Sequence, residues 1–223
     1  MNLVVFDIDG TLVKYHKKRN DQAFVRAVKE VLDITLEDSW SDYVHSTDSG
    51  ILSEIFEKNR GRACTVRDIS EFKKSMASWL EKEYGAEPFE STAGAKVCLS
   101  ALLKDPGWTT AIATGNWEFS GGFKLKSAGI DFSDIPFASA DDGLKREWIL
   151  QMAFSKSKKA VRVNKFEKIV YVGDWTWDLQ AAQALGWKFI GIATGEAEKT
   201  LRVAGAQNVF PDFSGLTQQL NKV

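Results

Sequence analysis

The chain begins with a short apolar run that ends in two aspartates. Residues 3–6 are all apolar, and Asp7-Ile8-Asp9-Gly10-Thr11 follows directly. Such a run predicts a strand buried on both faces, as in a parallel sheet, and Gly10 allows the sharp turn that ends it. At the carboxyl end of that strand, Asp7 and Asp9 would face the crevice where open α/β sheets bind ligands. Because a carboxylate in a dry crevice needs a cation or a proton to offset its charge, the pattern favours a functional site over an ordinary Asp-Gly turn.

The segment after this turn has helical periodicity only. Apolar residues recur at helical spacing in three stretches, residues 21–32, 49–59 and 68–84, and Gly85 is a plausible stop for the third. No convincing strand pattern occurs between residues 15 and 87. A segment of about seventy residues is too long for an ordinary βα loop. We therefore predict a smaller all-helical domain, residues 15–87, inserted after the first strand.

From residue 88 onward, helical and strand patterns alternate. The predicted strands are residues 109–113, 137–138, 168–172 and 188–193, and the predicted helices between them are residues 92–104, 119–127, 146–155 and 179–185. A last helix and a short strand end at Phe210, and a helical turn follows Pro211. This alternation predicts right-handed βαβ crossovers. The expected fold is α/β, with residues 1–14 and 88–223 forming a Rossmann-like parallel sheet flanked by helices.

Two later strands also end in polar residues. Thr114-Gly115-Asn116 follows the strand at residues 109–113, and Gly173-Asp174 follows the strand at residues 168–172. Asp178 comes four residues after Asp174, so one turn of helix would bring both carboxylates to one ion. Alone, the first group is typical of a strand-exit turn, and the second is typical of a helix cap with an acid in the first turn. Their joint occurrence with Asp7 and Asp9, each after a buried strand, favours a shared site.

The segment Asp7-Ile8-Asp9-Gly10-Thr11-Leu12 resembles the first motif of the haloacid dehalogenase-like hydrolase superfamily, in which magnesium-dependent phosphatases predominate. The position of the helical insertion resembles the phosphoglycolate-phosphatase-like branch, where it forms a cap. The resemblance implies that Asp7 is the nucleophile and that Asp9 is the general acid and base. It also implies a magnesium ion held by Asp7, Asp174, the backbone carbonyl of Asp9 and Asp178, the last through water.

The resemblance further implies groups that hold the phosphate. Thr114, Asn116 and backbone groups near Thr11 and Gly115 would bind the transferring oxygens. The family places a lysine or arginine before the helix that precedes its last motif. Lys145 and Arg146 are adjacent candidates here. The usual Lys-Pro pattern is absent, so both stay open.

The insertion adds one further candidate. Thr47-Asp48 resembles the segment that faces the active site in caps of this branch, but the same residues are typical of a simple helix N-cap. Three tryptophans beside the motifs, Trp117, Trp175 and Trp177, either fill the core or wall the substrate entrance.

These features predict a magnesium-dependent phosphatase that acts on a small phosphorylated metabolite through an aspartyl-phosphate. A phosphomutase of the same fold and a non-catalytic phospho-ligand sensor are the alternatives. The net charge of -1 argues against nucleic acid as a partner, and no apolar stretch reaches the ~20 residues of a membrane span. Without a signal peptide and with two cysteines, the chain is expected in the cytoplasm, as a monomer or homodimer.

Overall fold

A computed structural model of the protein describes residues 1–16, 21–36, 40–85 and 87–223. Residues 17–20, 37–39 and 86 of the predicted insertion lie outside the described residues. The described chain contains a six-stranded parallel sheet in the order β3-β2-β1-β4-β5-β6. Its strands are β1 (Asn2–Phe6), β2 (Trp108–Ala113), β3 (Phe137–Ala138), β4 (Ile169–Gly173), β5 (Lys188–Ile192) and β6 (Val209–Phe210). The predicted α/β class with a parallel sheet is confirmed.

Strand β1 lies at the centre of the sheet. Val5 is paired with Ala111 of β2 on one side and with Tyr171 of β4 on the other. Because alternate strand residues point to opposite faces, Val4 and Phe6 enter one hydrophobic cluster while Leu3 and Val5 enter the other. Burial on both faces is the reason that the strands read as unbroken apolar runs.

Helices cover both faces of the sheet. The cluster that contains Phe6 is closed by α4 (Ala95–Leu102), α5 (Glu118–Ser127) and α9 (Leu216–Leu220). The cluster that contains Val5 is closed by α6 (Arg146–Val161), α7 (Thr176–Ala184) and α8 (Gly195–Val203). The order 3-2-1-4-5-6 reverses direction beside β1, and such a switch point is where open α/β sheets bind ligands.

The described residues between β1 and α4 form three helices. They are α1 (Gln22–Leu32), α2 (Asp48–Arg60) and α3 (Val66–Tyr84). A short 3₁₀ turn, Trp40–Asp42, lies before α2. The helix α3 begins with a capping box between Thr65 and Asp68. Helices α1 and α3 pack on each other, and the rings of Phe24 and Phe72 lie 5.0 Å apart. Burying one such ring stabilises the fold by about 1.5–3 kcal/mol.

The predicted elements are all present, and the differences lie at their ends. Helix α6 continues to Val161, six residues beyond its predicted end. The prediction ended too early because the last turns are rich in lysine and serine and lack apolar periodicity. Helix α7 begins at Thr176 rather than at residue 179, which places Asp178 in its first turn. Helix α4 is shorter than predicted because Gly94, with a φ of +77°, precedes its first turn.

Within the part of the chain that the structure describes, no helix is long and apolar enough to cross a membrane. Cys64 and Cys98 are both free thiols.

Candidate active site

Three loops meet at the carboxyl edge of the sheet. Asp7 follows β1, Thr114 and Asn116 follow β2, and Asp174 follows β4. Because β1 lies between β2 and β4, these loops are neighbours, and a cavity of about 820 Å³ opens beside them. Its inner wall consists of Asp7, Asp9, Gly10, Thr114, Asn116, Arg146 and Asp174. Residues from each of the three predicted motifs therefore border one cavity.

Three aspartates form a tight acidic cluster at this edge of the sheet. Carboxylate oxygens of Asp7, Asp174 and Asp178 all lie within 4.8 Å of one another. Burial and then the charge of Asp178 raise the pKa of Asp7 well above its usual range, and the pKa of Asp174 is raised for the same reasons. A divalent cation offsets such a charge, and carboxylate oxygens are the ligands that Mg²⁺ prefers. The donor set therefore fits a magnesium ion.

Protein donors occupy both carboxylate oxygens of Asp178. Its Oδ1 accepts a hydrogen bond from the Tyr171 hydroxyl at 2.7 Å. Its Oδ2 accepts from the backbone N–H groups of Asp174 and Trp175, both at 3.2 Å. Asp178 is fully buried and holds the loop that carries Asp174. This arrangement suits a contact with the ion through water rather than direct ligation.

Gly10 permits the close approach of the first and third motifs. Its φ is +76°, a left-handed conformation that favours glycine, and a Cβ atom there would lie 2.0 Å from Asp174 Oδ2. No side chain fits between the two loops. A glycine is thus required after Asp9 for two reasons: the turn has a positive φ, and the loops after β1 and β4 lie too close together for a side chain.

The two adjacent cation candidates lie in different environments. Arg146, the first residue of α6, has Nη1 3.3 Å from Asp7 Oδ1 and 3.3 Å from Asp178 Oδ1, and its Nη2 donates to the Ser46 carbonyl at 2.9 Å. Lys145 is exposed, with Nζ 5.4 Å from the centre of the Trp148 ring. The structure therefore brings Arg146 to the acidic cluster and leaves Lys145 outside it.

Asp9 is held apart from the acidic cluster by two donors. Its Oδ2 accepts from Lys124 Nζ at 2.5 Å and from Asn116 Nδ2 at 2.7 Å. Lys124 Nζ also donates to Asn116 Oδ1 at 2.9 Å. Although burial alone would lower the pKa of Lys124, the charge of Asp9 keeps that pKa above its usual value. The ammonium therefore stays charged beside Asp9.

The remaining predicted phosphate ligands divide into two groups. The Thr114 hydroxyl accepts from both the backbone N–H and the side-chain amide of Asn116, at 3.1 and 2.9 Å, and both residues border the cavity with Gly115. Thr11 is fully buried, and among the described residues its hydroxyl has no hydrogen-bond partner. It is not among the residues that border the cavity.

Thr47 and Asp48 connect the insertion to the sheet. Thr47 is the N-cap of α2, since its hydroxyl accepts from the Gly50 N–H at 3.1 Å, and the same hydroxyl donates to the Leu144 carbonyl. The Asp48 carboxylate accepts from the Trp117 N–H at 2.8 Å, and burial raises its pKa to about 7. Both residues border the cavity. The helix-cap interpretation thus applies to Thr47, while Asp48 binds the loop after β2.

Residues 1–186 match the family model described as haloacid dehalogenase-like hydrolase. The chain belongs to this family. No curated protein is significantly similar to this hydrolase in sequence.

Solved structures of similar fold include several bacterial proteins. A hydrolase from Pseudomonas syringae has 21% identity and a TM-score of 0.74, with 100% of this chain and 99% of that chain covered. A protein provisionally named as a β-phosphoglucomutase from Bacteroides vulgatus has 20% identity and a TM-score of 0.71, covering 100% and 89%. A predicted phosphoglycolate phosphatase from Haemophilus somnus has 20% identity and a TM-score of 0.62, covering 98% and 97%. At these identities the likeness shows a shared fold.

Lys124 is the site residue of this hydrolase that sequence reasoning missed. It lies on α5, whose buried side also carries Ser120, Gly121 and Leu125. A lysine at a position where helical spacing requires a buried residue is unusual, because lysine is almost never fully buried without a partner. That conflict was the available signal. It does not identify Asp9 as the partner, since the two residues are 115 positions apart.

Proposed function

We propose that this hydrolase is a magnesium-dependent phosphatase that cleaves a phosphomonoester through an aspartyl-phosphate on Asp7. The observation that carries the proposal is the difference between two aspartates two residues apart. Asp7 lies in the acidic cluster beside Arg146, whereas Asp9 is held outside that cluster by Lys124 and Asn116. Two carboxylates with such different environments are suited to two different roles, nucleophile and general acid.

The acidic cluster supports the metal requirement. Asp7 and Asp174, with the backbone carbonyl of Asp9, would hold Mg²⁺ directly, and Asp178 would act through water. The bound ion would supply the positive charge that lets an anionic phosphate approach the anionic Asp7.

The first half-reaction forms a bond between an Asp7 oxygen and phosphorus while the bond from phosphorus to the ester oxygen breaks. Asp9 gives its proton to the departing alkoxide, which leaves as an alcohol. Arg146, the Thr114 hydroxyl and the Asn116 amide would hold the phosphoryl oxygens. In the second half-reaction, water attacks phosphorus, Asp9 accepts its proton, and the bond to Asp7 breaks to release inorganic phosphate. The balance is ester plus water to alcohol plus phosphate.

The insertion supports a closed site. Ser46, Thr47 and Asp48 border the cavity, and α2 is hydrogen-bonded to the core through Asp48 and Ser49. We assign the insertion as a cap that excludes bulk water from an intermediate that one positioned water must hydrolyse. The expected cytoplasmic location, the lack of nucleic-acid and membrane partners, and a monomeric or homodimeric state stay predictions.

The second candidate function is a phosphomutase, which would use the same two aspartates. It is favoured only by the name of the Bacteroides vulgatus protein. Transfer of labelled phosphate between two positions of one sugar, without release of phosphate, would identify it. A non-catalytic phospho-ligand sensor has no use for an aspartate that two donors hold beside the nucleophile.

The decisive experiment is phosphate release from a panel of phosphomonoesters, with Mg²⁺ and with a chelator, for the wild-type protein and Asp7→Asn. We expect release only with Mg²⁺ and none from the variant, which keeps the size of the side chain but lacks the attacking charge. Rapid acid quench should place labelled phosphate on Asp7. Label on another residue, or turnover by Asp7→Asn, would overturn the mechanism.

A further inference from the structure

The cavity extends far beyond the space that a phosphate needs, and several aromatic and apolar residues border its outer part. Its volume of about 820 Å³ is in the range of sites that enclose a whole drug-sized ligand. Apolar and aromatic residues border its outer part, Phe24, Trp40, Ile51 and Met76 from the insertion and Trp175, Trp177 and Ile192 from the core, and so do polar and charged residues that include Lys14, His16, Asp21 and Asp212. Phe24, Ile51 and Met76 are packed in the hydrophobic core, so a short polar metabolite would leave the half-buried rings of Trp40, Trp175 and Trp177 without a ligand contact.

The core wall begins directly at the acidic cluster. Trp175 follows Asp174, and the rings of Trp175 and Trp177 lie 5.8 Å apart, both half-buried. Neither ring belongs to the two hydrophobic clusters of the described chain, nor to the side chains packed against them. Two large apolar rings that do not contribute to a core but border the cavity therefore need another explanation.

Helix capping does not explain Trp175 either. It occupies the N-cap position of α7, where side chains with a hydrogen-bonding oxygen are strongly preferred. The indole offers no acceptor there. A residue that departs from a local rule without a structural gain is expected at a functional site. Trp175 and Trp177 are placed to contact a ligand whose phosphate lies at Asp7.

The insertion forms a second aromatic wall. Trp40 is half-buried, and its ring packs edge-on against Phe24 at 5.5 Å. Both residues border the cavity, as does Met76, but Phe24 and Met76 are almost fully buried in the hydrophobic core. Trp40 is therefore the ring of this wall that offers surface to a flat ligand.

The charges of the cavity disfavour a second anionic group on the substrate. Among the described residues, each lysine or arginine that borders the cavity is paired with a carboxylate. The pairs are Lys14 with Glu90 at 2.7 Å, Lys124 with Asp9, and Arg146 with Asp7 and Asp178. Asp21 and Asp212 also border the cavity away from the cluster. A substrate with a carboxylate or a second phosphate would meet more acids than free cations.

We infer that the substrate is a phosphomonoester whose alcohol carries a planar apolar ring, and that this ring contacts the Trp175–Trp177 pair. The inference rests on the proposed phosphatase function and narrows its substrate class. It narrows the small phosphorylated metabolite expected from the sequence to an ester with a larger, flat leaving group. Stacking on one such ring is expected to change kcat/KM by roughly tenfold.

The test compares two alkyl phosphates of similar leaving-group acidity, 2-(1-naphthyl)ethyl phosphate and butyl phosphate, with phosphoglycolate as the doubly anionic small ester. Each is measured with Mg²⁺. We expect kcat/KM for the naphthyl ester to exceed that for butyl phosphate by about tenfold or more, and phosphoglycolate to be the poorest. Trp177→Ala should bring the naphthyl-to-butyl ratio close to one, and Trp177→Phe should restore most of it. Trp148→Ala, an exposed tryptophan that does not border the cavity, is the control and should keep the ratio.

Failure of the inference and failure of the phosphatase assignment give different results. Turnover of all three esters with phosphoglycolate best, or a ratio that Trp177→Ala leaves unchanged, overturns the ring-bearing substrate and leaves the phosphatase standing. If no ester turns over, the affinities of the corresponding non-hydrolysable phosphonates are measured by calorimetry. Tighter binding of the naphthyl phosphonate, lost in Trp177→Ala, supports the ring site without catalysis, and equal binding overturns it.

Discussion

Lys124 donates to Asp9 Oδ2 at 2.5 Å from a side chain that is only 2% exposed. The same ammonium donates to Asn116 Oδ1, so α5 and the loop after β2 together set the direction of the Asp9 carboxylate. A buried ammonium requires such a partner, because an unpaired charge in this position would be very costly. The helix therefore fixes the carboxylate of the proposed acid in an environment that differs from that of Asp7, Asp174 and Asp178.

Lys124→Met keeps the length of the side chain but removes the donor, so Asp9 should lose its orientation. We expect an unactivated alkyl phosphate to lose about 10²–10⁴-fold in kcat, the usual contribution of general acid–base catalysis. Formation of the intermediate from 4-nitrophenyl phosphate, whose leaving group needs no proton, should fall much less. Lys126→Met, exposed on the same helix, is the matched control. Equal losses for both esters would show that Lys124 does not act through Asp9.

The magnesium prediction separates Asp174 from Asp178. Mg²⁺ should raise the melting temperature of the wild-type protein, because it binds the folded acidic cluster. Asp174→Ala should abolish this rise. Asp178→Ala should keep part of the rise with Mg²⁺ but should melt at a lower temperature even without metal. The reason is that the Tyr171 hydroxyl and two backbone N–H groups lose their acceptor. Each buried polar group left without a partner costs about 1–3 kcal/mol of stability. An unchanged response in Asp174→Ala would remove that residue from the metal site.

Gly10→Ala should act on the metal site as well as on stability. The left-handed conformation costs a non-glycine residue about 1–2 kcal/mol, and the new Cβ would also displace the Asp174 carboxylate. Gly61→Ala shares the positive φ but meets no atom within 4 Å, so it reports the conformational cost alone. We expect both variants to melt lower and only Gly10→Ala to lose the rise with Mg²⁺. The same loss in Gly61→Ala would show that the effect is not local.

Asp48 should make the stability of the protein depend on pH. Burial raises the pKa of Asp48 in the folded state to about 7, although the charge of Lys124 acts to lower it. In the unfolded chain the aspartate has its ordinary pKa of about 3.9. Between these values the folded state keeps a proton that the unfolded state has lost, so stability falls as pH rises through this window.

Asp48→Asn cannot titrate but keeps an oxygen for the Trp117 N–H. We therefore expect the melting temperature of the wild-type protein, relative to this variant, to fall between about pH 4 and pH 7 and to level off above. Thermal melts of both proteins across that range measure the difference. Parallel curves would show that Asp48 does not carry the proton.

The sequence alone determined the fold class and the location of the candidate site. Unbroken apolar runs identified buried parallel strands, and the acids Asp7 and Asp174 directly follow two of them. Because the carboxyl ends of parallel strands lie at one edge of a sheet, this pattern was enough to predict that the two acids lie close together. These features are local or depend only on strand order. The end of α6 escaped prediction because its last turns have no apolar side to signal a helix.

Only the tertiary structure decided which charged side chains reach the site. Lys145 and Arg146 are neighbours in sequence, yet the start of α6 directs Arg146 to Asp7 and Asp178 and leaves Lys145 exposed. No sequence motif contains Lys124, and only the packing of α5 against the β1 loop pairs it with Asp9. The pairing of a charge depends on which distant element lies within hydrogen-bond reach, and this distance is set by the packing of the whole chain rather than by local sequence.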